Sequence, residues 1–111
     1  MNVDKRLHTA AQVLMTLVTR ADLPPICTWR MDDTDGLSGQ LAAADDTAVL
    51  HDLAAAARSL GTPGEPLEIQ RKAYDAHPDS TRVWVTAQVD GVEVEIWSAI
   101  RTTSLPEGGA A

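Results

Sequence analysis

Two periods of apolar residues divide the chain. Near its start Val3, Leu7, Ala10, Ala11, Leu14, Leu17, Val18 and Ala21 recur at intervals of three and four, the spacing of one face of an α-helix. Lys5, His8, Gln12, Thr16 and Thr19 fall on the opposite face; "LPP" from Leu23 ends the helix, and Asn2 is placed to cap it. The stretch has a superficial likeness to a signal peptide, but Gln12, Thr16 and Thr19 break its apolar run, so it reads as part of the fold.

The second period is two. "RVWVTAQVDGVEVEIWSAI" alternates on both sides of Asp90-Gly91, a pair suited to a two-residue type I′ turn. The hairpin it predicts sets Val89 against Val92, Ala87 against Val94, Val85 against Ile96 and Val83 against Ser98, an apolar face that packs on helices. On the other face Gln88 opposes Glu93, Thr86 opposes Glu95, and Trp84 opposes Trp97. A cross-strand aromatic pair contributes about 0.5–1 kcal/mol to a hairpin, whereas burying two indoles against something else yields several times that. Either another part of the chain covers these tryptophans, or a partner does.

Between the two patterns, Ile26 to Met31 and Leu37 to Ala42 read as strands around "MDDTDG". As a calcium loop with Gly36 in sixth place, the motif begins on Met31 and ends on Ala42, neither of which ligates calcium. As a hairpin with the three-residue loop Thr34-Asp35-Gly36, it pairs Asp33 with Leu37, Met31 with Gly39 and Trp29 with Leu41. An odd loop keeps Cys27, Trp29 and Met31 on one face opposite Leu37, Gly39 and Leu41, which makes Cys27 a small core residue.

Asp45 or Asp46 caps a second helix with Val49, Leu53, Ala56, Ala57 and Leu60 on its buried stripe and Gly61 as a left-handed C-cap. "TPGEP" is a linker, and "LEIQRKAYDA" alternates as a strand, with a short helix as the alternative over residues 65–76. The expected fold is α+β, in the order α-β-β-α-β-β-β: a mainly antiparallel sheet of about five strands with two helices on one face. Residues 1–103 are expected to form a single domain and 104–111 a flexible tail.

Charge narrows the functional classes. The 111 residues carry nine Lys and Arg against sixteen Asp and Glu, a net charge of -7 that repels phosphate backbones and argues against direct nucleic-acid binding. No cation lies between Arg30 and Arg58, an interval that holds Asp32, Asp33, Asp35, Asp45, Asp46 and Asp52. One cysteine permits no internal disulfide, and no stretch of about 18 apolar residues spans a membrane, so a cytoplasmic location is expected. His8, His51 and His77 lie apart without ligand spacing, and no phosphate loop, G-x-S-x-G or H-E-x-x-H occurs. No catalytic residue, metal or cofactor is assigned.

The helix, the "LPPICTWRMDDTDGLSGQLA" segment, the Ala-rich helix and the closing "VWVTAQVDGVEVEIW" hairpin give the chain a resemblance to small uncharacterised proteins of high-GC actinobacteria and their phages. That resemblance brings no activity or functional residues with it. In architecture the chain resembles the dimeric secretion-chaperone and YbjN-like fold, whose surfaces hold partner polypeptides, although that fold places three strands between its helices where two are read here.

The sequence therefore points to a non-enzymatic interaction or adaptor module, a homodimer with a possible further protein partner. Its binding surface is Trp84 and Trp97, rimmed by Glu93, Glu95 and Gln88. The acidic side formed by Asp32, Asp33, Asp35, Asp45 and Asp46 supports two other readings: an inhibitor that mimics nucleic acid, or a small metal-dependent enzyme using the Asp cluster.

Overall fold

The computed structural model describes residues 3–31 and 36–105, with side chains from His8 onward. Its elements follow the expected order: α1 (Val3–Val18), β1 (Ile26–Met31), β2 (Leu37–Leu41), α2 (Asp46–Leu60), β3 (Gln70–Ala73), β4 (Ser80–Val89) and β5 (Val92–Arg101), then a 3-10 turn at Thr102–Ser104. The five strands form one sheet in the order β1-β2-β5-β4-β3, antiparallel except for the parallel pair β2 and β5.

The β4–β5 hairpin is the sheet's spine. Asp90 and Gly91 both have positive φ, 51° and 82°, as a type I′ turn requires. Pairing then runs through all ten residues of each strand, Val89 with Val92 down to Ser80 with Arg101. Val83, Val85, Ala87, Val92, Val94, Ile96 and Ile100 are buried on the face that receives the helices.

Both helices pack on that face. On α2, Val49, Leu53, Ala56 and Ala57 are buried, and Asp45 caps the first turn by accepting from the Ala48 N–H at 2.8 Å. On α1 the buried line is Ala10, Val13 and Leu17, with Leu14 against it. The apolar face is thus turned from the expected one: Ala11 and Val18 look outward beside Met15, and the Val3 and Leu7 side chains and Asn2 lie outside the described residues. Ala residues at 10 and 11 satisfy either rotation, so the larger Val13 and Leu17 decide it.

The β1–β2 pair keeps the expected parity but slips by two residues: Met31 pairs with Leu37 and Trp29 with Gly39. Alternation specifies which face a residue takes and is blind to a two-residue slip. The turn assigned to Thr34-Asp35-Gly36 includes Thr34 and Asp35, which lie outside the described residues. Register shifts again at Cys27, between Ile26 and Thr28, and this irregularity lets Ile26 and Trp29, three residues apart, both pack toward the core. Cys27 is therefore exposed rather than a core residue. Gly39 is what admits Trp29, since a Cβ there would stand 2.9 Å from Cζ3 of the indole.

Residues 70–73 are a strand at the β4 edge, which settles the strand-or-helix alternative over 65–76 for that segment. Gly61 caps α2 in an extended conformation, φ -80°, instead of the left-handed one. Its requirement for glycine is one of space: a Cβ would lie 2.7 Å from the Glu65 carbonyl and 2.8 Å from that of Ala57.

Two polar clusters pin the ends of α2. At its C-terminal end Asp22 accepts from the Arg20 guanidinium at 2.7 Å and from the Ser59 hydroxyl at 2.7 Å. At its N-terminal end Asp46 accepts from Ser104 Oγ at 2.8 Å and from the Arg101 backbone N–H and Nε at 3.1 Å each. Leu105 packs against the core beyond this cluster.

Gly61→Ala should destabilise the fold by about 1–3 kcal/mol through forced backbone shifts, measured by urea denaturation. A pH dependence follows from the two clusters. Hydrogen bonds from Arg20 and Ser59 hold the Asp22 carboxyl below the usual carboxylate range, and those from Ser104 and Arg101 do the same for Asp46. Stability from a depressed carboxyl is fully present above its unfolded value near ~4 and is lost as pH falls through the folded one. The denaturation midpoint of Asp46→Asn should therefore lie below that of the native chain at pH 6, and the gap should narrow in acid.

Candidate functional site

Because β4 and β5 alternate, the residues not facing the helices form a second sheet face. Its central row runs Thr28 on β1, Gln40 on β2, Trp97 on β5, Trp84 on β4 and Gln70 on β3. The row toward the Asp90-Gly91 turn carries Arg30, Ser38, Glu95 and Thr86; the row on the other side carries Ala99, Arg82 and Lys72. Among the described residues no helix lies over this face.

Trp84 and Trp97 stand directly opposite each other, as the alternation predicts, and both are half-buried. Their cover comes from neither helix. β3 lies beside β4 in the sheet, so that segment forms no lid, and instead Arg82 reaches over the indoles. Its guanidinium carbon is 4.9 Å from the Trp84 ring centroid and 5.0 Å from that of Trp97, and Nη1 donates to Glu95 Oε1 at 2.9 Å.

The result is one connected unit. Trp84, Trp97, Arg82 and Glu95 come from three successive rows of two strands, with the Arg82 and Glu95 side chains 26% and 28% exposed. Each guanidinium–indole contact contributes about 0.5–1 kcal/mol at an accessible site, and the ion pair orients the guanidinium. Arg82 was absent from the sequence reading. The signal was present, since a residue two before Trp84 on a strand must share its face.

Shallow hollows flank the unit. One, of about 280 Å³, lies between Trp84, Lys72, Tyr74, Asp75 and Arg82; the other, of about 320 Å³, lies between Trp97, Arg30, Met31, Ser38 and Glu95. Each has a tryptophan wall and an edge-strand cation, with Arg82 common to both. Glu93 and Gln88, the remaining residues of the expected rim, are exposed at the turn end.

The acidic side has a different character. Asp45 serves as the α2 cap and Asp46 is consumed by Ser104 and Arg101, while Asp32, Asp33 and Asp35 lie outside the described residues. Among the described residues no three His, Cys, Asp or Glu side chains converge as metal ligands would, and no helix is long and apolar enough to cross a membrane. His51 approaches Asp52 at 3.4 Å, but on the exposed surface of α2 with no third group to orient it.

No family model, curated protein or solved structure matches the chain.

Removing the guanidinium tests the unit. Arg82→Ala should lower stability by about 1–2 kcal/mol and shift tryptophan emission to the red as the indoles hydrate. Glu95→Gln should give a smaller change in both.

Proposed function

We propose that this chain is a non-enzymatic interaction module that self-associates through the tryptophan face of its sheet and holds protein partners by the same surface. The observation that carries the reading is the pair of half-buried indoles on a sheet face over which no helix lies among the described residues, with Arg82 stacked on both rings. An indole buries up to about 250 Å² when fully covered, so a second surface laid on Trp84 and Trp97 gains apolar burial that one guanidinium leaves incomplete.

The composition of the face suits a protein partner. Tryptophan and arginine are the residues most enriched where binding energy concentrates, and a polar rim excludes water around them. Glu93, Gln88, Gln70 and Lys72 supply that rim as exposed side chains.

Light scattering over a concentration series is the direct check. The native chain should have the mass of a dimer at tens of micromolar, and Trp84→Ala, shown to be folded by circular dichroism, should have that of a monomer. A Trp84→Ala protein that stays dimeric would remove the tryptophan face from the assembly.

A further inference from the structure

The geometry points to the way two copies meet: face to face, with their strands antiparallel about a two-fold axis that runs along the Trp97 and Trp84 row. This rests on the reading of the tryptophan face as a docking surface.

The charges of the face are polarised along the strands. Toward the Asp90-Gly91 turn lie Glu95 and, one row further, Glu93; away from it lie Arg82 and Lys72, and beyond them Arg101, which is exposed but already paired with Asp46 of its own chain at 3.1 Å. The segment entering β3 carries Glu68 on the turn side of Gln70. The tryptophans sit where the sign changes.

Face-to-face stacking of two identical aligned sheets offers two in-plane two-fold axes, one along the strands and one across them. With the axis along the strands, β4 of one copy lies on β5 of the other and every row lies on its own counterpart. Glu93 and Glu95 then crowd the same pair from the second copy, and the arginines do likewise at the far end. With the axis across the strands, each strand lies on itself with its direction reversed. Glu93 meets the second copy's Arg101, Glu95 lies one strand from its Arg82, and Lys72 approaches its Glu68. Arg30, the cation on the acidic half, faces the second copy's β1 near Cys27 and Thr28, which carry no charge. Like charges placed together disfavour the first arrangement; opposite charges brought together favour the second.

The size of the face is adequate. Five strands about 4.8 Å apart, at about 3.3 Å per residue, give roughly 600 Å² in projection, and corrugation by the indoles and long side chains brings this toward the roughly 800 Å² per partner of a standard interface.

A distance between spin labels separates the two axes. Asp79 is exposed just before β4, off the proposed contact, and Cys27→Ser removes the competing thiol. A nitroxide on Asp79→Cys in that background should lie about 35 Å from its mate in the antiparallel dimer and about 10–15 Å in the other, from strand rise and sheet spacing. The longer distance, lost on adding Trp84→Ala, is the expected result. A short distance abolished by Trp84→Ala overturns the antiparallel arrangement and leaves the docking surface standing; either distance persisting in Trp84→Ala overturns the docking surface as well. A native monomer overturns self-association itself. Glu93→Lys, a change on an exposed side chain, should weaken the dimer about tenfold by setting a cation over the second copy's basic rows, and an unchanged dissociation constant would count against the same arrangement.

Discussion

The ten-pair ladder between β4 and β5 is the constraint on which the remaining structure depends. A type I′ turn leaves no slack in the register, so closing Asp90-Gly91 decides at once which residues of both strands face the helices and which face away. The valines and Ile96 build the floor on which α1 and α2 rest. The same register sets Trp84 against Trp97 and puts Arg82 one row behind them. Core and candidate site are therefore two sides of a single pairing, and a change in one strand's phase would exchange them.

Legibility in the sequence followed how local the determining interaction is. The final hairpin could be read to the residue because its turn and alternation lie within one continuous segment. The α2 stripe and its Asp45 cap were legible for the same reason. The β1–β2 pair was read in the right phase with the wrong register, since the helix-facing set is unchanged by a slip of two. Cys27 was misplaced because its register irregularity is a feature of pairing, invisible until Ile26 and Trp29 are seen to share the core side.

The parallel contact of β2 with β5 lay beyond local reading altogether. Alternation on β2 buries Leu37 and Leu41 whichever strand lies alongside, and nothing in residues 37–41 names a neighbour more than fifty positions away. This contact carries Arg30 and Ser38 to the flank of Trp97 and so completes one of the two hollows. The candidate site was half visible: its tryptophans and glutamates came from hairpin arithmetic, but the arginine above them required asking where a long side chain two residues upstream would lie.

The strand order has a further consequence for the protein's behaviour at high concentration. β4 and β5, the longest and most apolar strands, are internal in the strand order, with β3 beside β4 over Thr81–Trp84 and β2 beside β5 over Val94–Trp97, so those stretches offer no backbone template to a stray chain. The outer positions fall to β3, four exposed residues with two cations, and to β1, whose register is broken at Cys27. Short, charged or irregular borders of this kind resist lateral growth of a sheet into fibrils. The middle of a segment rich in valine and isoleucine, hazardous on its own, is thereby withheld from lateral pairing by its place in the order.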